Sequence, residues 1–157
     1  MGDLYAGVII GLTGTALKDV WAIFLKRVFD NAPPNWAMVG RWVVHLKSGK
    51  VFNDDIAEAL AFSSENLVGW IFHYFVGFIY GVIFMLLVGK EWLSGPTLMP
   101  VWLYSISTIL VGWFLLHPGL GLGMALAKTE NPFKGRCMGL MTHSVFGLGM
   151  WFGAFAI

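Results

Sequence analysis

Two histidines lie inside apolar stretches of the sequence, and each has a glycine four residues before it and four residues after it. The histidines are His73 and His143. The flanking glycines are Gly69, Gly77, Gly139 and Gly147. Residues four apart lie on one face of an α-helix, so each imidazole is predicted to lie in a groove of glycines. Because imidazole can bind a proton or a metal ion near neutral pH, both residues are candidates for chemistry inside a membrane.

An aspartate in the first apolar stretch belongs to the same kind of stripe. Asp19 follows Gly7, Gly11 and Thr15 at intervals of four, and Gly81 extends the stripe of the first histidine. Small residues at this spacing let helix backbones approach closely in lipid. A central aspartate facing lipid costs about 2.5–3.5 kcal/mol. The stripes are therefore predicted to pack helices, with the polar side chains facing the protein interior.

The three polar residues are predicted to share one depth. Asp19, His73 and His143 each lie seven or eight residues from a charged residue near the end of their stretch. At 1.5 Å per residue, they lie roughly 11 Å inside the membrane boundary. Tyr74 and His117 are candidates to complete the layer. We expect this layer to bind a proton, a cation or a small polar solute, as in transport or sensing.

The composition places these residues in a membrane protein. Of 157 residues, 57% are hydrophobic and 12% are charged, whereas soluble domains carry about 25% charged residues. The net charge of +1 gives no indication of nucleic-acid binding. The single cysteine, Cys137, excludes an intramolecular disulfide.

Four stretches reach the roughly 20 residues that are needed to cross a bilayer. They are residues 4–25, 67–88, 98–127 and 137–157. The sequence therefore predicts an all-α, single-domain membrane protein with four helices in an antiparallel bundle. The third stretch is broken at His117–Pro118, and the first is expected to be a retained span because it lacks the pattern of a signal peptide.

Basic residues predict the orientation. Five Lys and Arg residues follow the first stretch and three follow the third, whereas Lys90 alone follows the second. Because cytoplasmic connections carry the excess of basic residues, we expect the first and third connections in the cytoplasm and both termini outside it.

The first of these connections is predicted to form an interfacial segment over residues 36–62. Two prolines end the preceding helix, and WAMVGRWVVHLK then has the pattern of a helix lying on the inner leaflet. On this helix Arg41 and His45 lie on the face opposite the apolar residues. A second short helix is expected to be capped by Asn53 or Asp54. The predicted cytoplasmic interface consists of Arg41, Trp42 and Glu65.

The same residues also suit other functions. Two neutral imidazoles and a carboxylate suit a divalent metal ion, with His73, His143 and Asp19 as candidate ligands, and the two histidines could instead be axial ligands of haem. The chain could also be a non-catalytic accessory subunit whose histidines join helices. Asp, His and Tyr are competent acid–base groups, but the sequence holds no nucleophile or metalloprotease motif, so an enzyme ranks last. Expected partners are the lipid bilayer and either further copies of the chain or a larger membrane complex.

Six motifs resemble one known family. They are GxxxTxxxDxW at 11–21, VGRW at 39–42, GWxxHYxxG at 69–77, GPTLMP at 95–100, PGLGLGMA at 118–125 and THxVFGLG at 142–149. Together they resemble a bacterial family of small inner-membrane proteins, domain of unknown function twenty-nine thirty-eight. The resemblance runs nearly end to end. It implies a four-span protein of the bacterial inner membrane and supplies no activity.

Individual positions carry the resemblance further. The family pattern matches this chain at Asp19, Arg41, Trp42, His73, Tyr74 and His143. The chain departs from the pattern at three positions. His117 stands where glutamine is usual, Asn53 where histidine is usual and Lys18 where methionine is common. The departures argue against a metal site that depends on His117.

Overall fold

The protein is all-helical in a computed structural model that describes residues 2–157, apart from the side chain of Asp3. This part of the chain contains no β-strand, which confirms the all-α prediction. Among the described residues, the longer helices are α1 (Gly2–Phe29), α2 (Trp36–His45), α3 (Glu65–Val88), α4 (Leu98–Gly119) and α5 (Pro132–Ala154).

The helix boundaries follow from local chemistry. Helix α2 begins after two prolines, where the Asn35 side chain accepts a hydrogen bond from the Met38 backbone N–H at 3.3 Å. Helix α3 ends before Gly89, whose φ of 75° is a positive value that glycine adopts more readily than other residues. Helix α5 starts with Pro132, and the Asn131 carboxamide oxygen accepts from the Lys134 N–H at 3.0 Å.

Helix α4 changes its hydrogen-bond pattern along its length. It is α-helical over Leu98–Ser107 and Ile109–Val111, and π-helical over Gly112–Leu116. The wide turn comes directly before Pro118, which has no N–H to donate to the preceding turn. The helix ends at Gly119, while the apolar stretch in the sequence extends to residue 127. Left-handed glycines at positions 121 and 123, with φ of 87° and 73°, turn the chain there.

Three helices of the described chain are long and apolar enough to cross a membrane. These candidate spans are Leu4–Phe29, Glu65–Val88 and Leu98–Gly119. Helix α5 has 23 residues and so has a comparable length, but two basic residues and five glycines dilute its apolar composition. Large apolar side chains are exposed along the candidate spans, as a lipid-facing surface requires; Ile71, Phe75, Leu86 and Leu87 on α3 are examples.

The chain divides into two compact units. The first unit comprises Met1–Pro33, Tyr74–Thr108 and Leu140–Ile157. The second unit comprises Pro34–His73 and Ile109–Gly139. Helices α3, α4 and α5 therefore each contribute residues to both units.

The first unit holds an apolar core and a close helix crossing. The core residues are Ala6, Ile10, Phe84, Met85, Val101, Phe146, Met150 and Ala154. At the crossing of α1 and α3, a Cβ atom on Gly7 would lie 2.7 Å from Val82 Cα, and one on Gly81 would lie 2.7 Å from Gly11 Cα. The two backbones touch because no side chain separates them.

The second unit is organised around α2. Its buried residues include Val39, Trp42 and Ile56. The Trp42 indole N–H donates to the Val51 carbonyl at 2.8 Å, which fixes the chain that follows α2.

The predicted second helix of the connection is wrong in length and in its cap. Only a single 3-10 turn, Ile56–Glu58, forms there, and Asp55 caps it by accepting from the Ala57 N–H at 2.8 Å. Asn53 does not cap this turn because its side-chain amide donates to the Gly119 carbonyl at 2.8 Å. A contact distant in sequence therefore takes the residue that local pattern assigned to a cap.

Candidate functional site

A carboxylate and a phenol join two candidate spans within the first unit. The Tyr74 hydroxyl on α3 donates to Asp19 Oδ2 on α1 at 2.8 Å. Both residues are half-buried. One turn earlier on α1, the Thr15 hydroxyl donates to the Gly11 carbonyl at 2.8 Å, so its proton is used within its own helix. The sequence had placed Asp19 and Tyr74 in one polar layer, and the structure brings these two together.

His143 is held by hydrogen bonds in the first unit. Its Nδ1 lies 3.0 Å from the Ser105 carbonyl oxygen and 3.0 Å from Thr108 Oγ1. The Thr108 hydroxyl donates to the same Ser105 carbonyl oxygen, which lies 2.7 Å from Thr108 Oγ1. A carbonyl oxygen only accepts, so the contact with Ser105 is a hydrogen bond in the tautomer that carries the proton on Nδ1. In the neutral ring, Nε2 is then the nitrogen with the lone pair.

The glycines around His143 have different neighbours. A Cβ atom on Gly147, in the first unit, would lie 3.1 Å from Ser105 Cβ. A Cβ atom on Gly139, in the second unit, would lie 3.1 Å from Ile109 Cδ1, the end of a flexible side chain. Gly147 therefore sets the distance to the residue that binds His143, whereas a side chain at Gly139 would require the end of Ile109 to move by a few tenths of an ångström.

His73 is held between aromatic rings in the second unit. Its side chain is only 7% exposed. The imidazole stacks on Trp36 with centroids 4.1 Å apart and meets Trp70 edge-on at 5.7 Å. Close approach of α2 to α3 makes this possible, since a Cβ atom on Gly69 would lie 2.7 Å from the Trp36 carbonyl carbon and 3.1 Å from Gly40 N.

Arg41 and Glu65 form a bidentate ion pair in the second unit. Arg41 Nε and Nη2 donate to the two oxygens of Glu65 at 2.9 and 3.0 Å. Nη1 donates to the carbonyls of Ala57 and Ala59 at 2.9 and 3.2 Å. These bonds to the Glu65 carboxylate raise the pKa of Arg41 above its ordinary value. The amphipathic pattern had put Arg41 on the polar face of α2, but the residue is buried because this ion pair and the two carbonyls satisfy its charge and donors.

His117 lies in the last turn of α4, in the second unit. Its backbone N–H donates to the Gly112 carbonyl across the π-helical turn. Its Nδ1 is buried and has no hydrogen-bond partner among the residues that the structure describes. The predicted layer thus draws on both units, with Asp19, Tyr74 and His143 in the first and His73 and His117 in the second. Its existence as one site stays a prediction.

Metal ligation requires several ligands at one point. Within residues 2–157, as far as their side chains are described, no group of three or more His, Cys, Asp or Glu could hold a metal ion. The candidate ligands His73, His143 and Asp19 therefore do not form such a group.

Sequence reasoning missed the residues that hold the two histidines. Ser105 and Thr108 lie in an apolar helix, where hydroxyl groups usually bond their own backbone. Trp36 begins the helix that was expected to lie on the inner leaflet, so its contact with His73 was not predicted. Gly40, one turn after Trp36, is the signal that could have indicated this contact, because a glycine on a helix face permits the close approach of another helix.

Comparison with known proteins places the chain in a family. No curated protein and no solved structure matches it. A family model, protein of unknown function (DUF2938), matches residues 8–157, which is nearly the whole chain. The motifs quoted above resemble that same family. The protein therefore belongs to the DUF2938 family.

Proposed function

We propose that this protein binds a proton, a cation or a small polar solute at polar groups within the membrane, in a transport-like or sensing role. The observation that carries the proposal is the hydrogen bond from Tyr74 to Asp19 between two candidate spans. Ionisable residues inside spans are costly and usually serve function. A carboxylate that a phenol orients is a suitable acceptor for a proton or a cation.

The proposal includes four crossings in a bacterial inner membrane. The length of α5, 23 residues, corresponds to about 35 Å of helix and so suffices for the hydrocarbon core. With α5 as a fourth span, the basic connections lie in the cytoplasm and both termini lie outside it. We propose that glycines pack these helices, namely Gly7, Gly11, Gly69, Gly77, Gly81, Gly139 and Gly147.

The histidines extend the proposed polar set. His143 contributes an imidazole that is held on α5 by the contacts of its Nδ1 with the Ser105 carbonyl and the Thr108 hydroxyl, and imidazole can take up a proton near neutral pH. His73 belongs to the proposed set because its predicted depth is that of Asp19 and His143, and His117 is the candidate that completes it. If a solute must pass through the protein, four spans are few, so we propose that two copies associate.

The proposal is tested by flux in proteoliposomes. We expect the full-length protein to raise the flux of protons, reported by a trapped pH-sensitive dye, or of mono- and divalent cations above that of empty vesicles. Asp19→Asn is expected to lower that flux by about tenfold or more, which corresponds to about 1.4 kcal/mol. Tyr74→Phe removes the phenolic donor and is expected to have a smaller effect in the same direction.

Asp30→Asn is the matched control. Asp30 follows α1, and its side chain is 89% exposed in an ion pair with Lys26. This variant should keep the flux of the unchanged protein. Equal flux of the unchanged protein and Asp19→Asn for every ion tested would overturn the proposed role of the carboxylate.

A further inference from the structure

We propose that a cavity in the second unit binds the phosphate headgroup of an anionic phospholipid. The cavity has a volume of about 370 Å³. Its lining residues are Arg41, Val44, His45, Lys47, Ser48, Leu60 and Phe62. The site lies between α2 and the chain that follows it, and it goes beyond the polar groups of the spans.

The charge of the lining favours an anion. The cavity wall, as the structure describes it, combines Arg41, His45 and Lys47 with no acidic side chain. The Arg41 charge is offset by Glu65. Lys47 is exposed and has no ion-pair partner among the described residues. Lys47 and His45 both line the cavity, and an ammonium group and an imidazole N–H can both donate to phosphate oxygens.

The apolar part of the lining favours a lipid as the source of the phosphate. Val44, Leu60 and Phe62 complete the wall, and Leu60 is 94% exposed. Two further apolar residues of the same segment, Val51 and Phe52, are also exposed. A free phosphate ion gains nothing from such a wall, whereas the first methylenes of an acyl chain are stabilised by it.

The place of this segment in the chain puts the cavity at a membrane face. One candidate span ends at Phe29 and another begins at Glu65. The residues between two successive spans emerge on one side of the bilayer and re-enter from that side. Basic residues at this level are attracted to anionic lipids, by about 1 kcal/mol per Lys near the surface.

Binding is measured on the full-length protein in detergent. The probes are dioctanoyl-phosphatidylglycerol, dioctanoyl-phosphatidylcholine and inorganic phosphate, with Kd taken from thermophoresis. We expect phosphatidylglycerol to bind at least about fivefold more tightly than either of the other two. Lys47→Ser is expected to weaken phosphatidylglycerol binding about fivefold, because one charge leaves the wall.

Lys50→Ser is the matched control, since Lys50 is an exposed lysine of the same segment that does not line the cavity. It should leave the Kd unchanged. Equal weakening by both lysine variants would show non-specific attraction and overturn the site. Phosphate binding as tight as that of phosphatidylglycerol would overturn the lipid source, and equal binding of phosphatidylcholine would overturn the charge argument.

The apolar wall is tested separately by Leu60→Ser. This exposed residue can be changed without disturbing a core, so the variant is expected to fold. It should weaken phosphatidylglycerol about fivefold and leave phosphate binding as it is. An unchanged affinity for phosphatidylglycerol would remove the acyl contact from the proposal. Because the readout is lipid affinity, these results are independent of the flux through the spans.

Discussion

The same sequence element, a histidine with glycines four residues away on both sides, forms two different environments in α3 and α5. His73 is buried between the rings of Trp36 and Trp70, with α2 packed closely on its helix. His143 is half-buried and held through Nδ1 by a carbonyl and a hydroxyl of α4. One imidazole contacts aromatic rings, and the other is held through a ring nitrogen by polar groups of a neighbouring helix.

The difference shows what the spacing specifies. Glycines at intervals of four leave one helix face without side chains, and this permits a neighbouring element to approach closely. The identity of the neighbour then decides the chemistry. Beside Gly69 on α3 the approaching element is the backbone of α2, and beside Gly147 on α5 it is the Ser105 side chain. Equal motifs therefore do not predict equal roles.

The largest expected difference in stability between the two regions concerns the glycine that lies four residues before each histidine. In Gly69→Ala the new methyl would overlap the Trp36 carbonyl, and backbone cannot move aside as a side chain can. Overpacking of this kind costs roughly 1–3 kcal/mol or more, so we expect the free energy of unfolding in detergent to fall by about 3 kcal/mol. Denaturant titration followed by circular dichroism measures it.

Gly139→Ala is the matched variant on α5. Its methyl would meet the flexible end of Ile109 at 3.1 Å, and alanine gains about 1 kcal/mol of helix propensity over glycine. We expect the free energy of unfolding to change by about 0.5 kcal/mol or less. If both variants lose stability equally, the close contact of α2 with α3 does not distinguish the two regions.

The ring contacts of His73 are tested by Trp36→Leu. The change removes the stacked partner and part of the buried apolar surface, so we expect the free energy of unfolding to fall by about 2 kcal/mol. Trp36→Phe keeps an aromatic face and should recover about half of that loss. A phenylalanine variant no more stable than the leucine variant would mean that buried area alone, and not the ring contact, matters at this position.

Much of the fold was predictable from the sequence. Long apolar stretches with their breaks predicted the helices, because a hydrocarbon solvent allows few other structures. The fourth apolar stretch, which lies in α5, differs from the other three in composition. Lys134 and Arg136 lie at the start of this helix, and glycines make the rest of it less apolar. Its crossing therefore stays a proposal. The predicted length and cap of the short helix after α2 were wrong. Asn53 does not cap it because its side chain donates to the Gly119 carbonyl, a contact distant in sequence that no local pattern encodes.

Less of the candidate site could be predicted. Periodicity predicted that Asp19 faces the protein interior, and Tyr74 was a candidate for the same layer because it follows His73 in the sequence; these two meet in the structure. Arg41 and Glu65 were both predicted at the cytoplasmic interface, with Arg41 on the face of α2 opposite the apolar residues, but their pairing was not predicted. Which side chains pair depends on helix rotation and crossing, and these are set by the whole interface rather than by one helix. The partners of His143 depend on α4 for that reason.

The smallest expected effect concerns the hydrogen bonds of His143. Thr108→Val replaces a buried hydroxyl with a methyl of similar size, and such bonds contribute on average about 0.6 kcal/mol between helices in membranes. We expect a loss of that order in the free energy of unfolding, with Thr108→Ser close to the unchanged protein. Nitrogen NMR of the imidazole gives the sharper test. Because the Ser105 carbonyl still accepts from Nδ1 at 3.0 Å, the Nδ1–H tautomer should persist in Thr108→Val. A neutral ring protonated at Nε2 in the unchanged protein would show that Nδ1 does not donate to this carbonyl, and the contrast between the two histidines would then rest on packing alone.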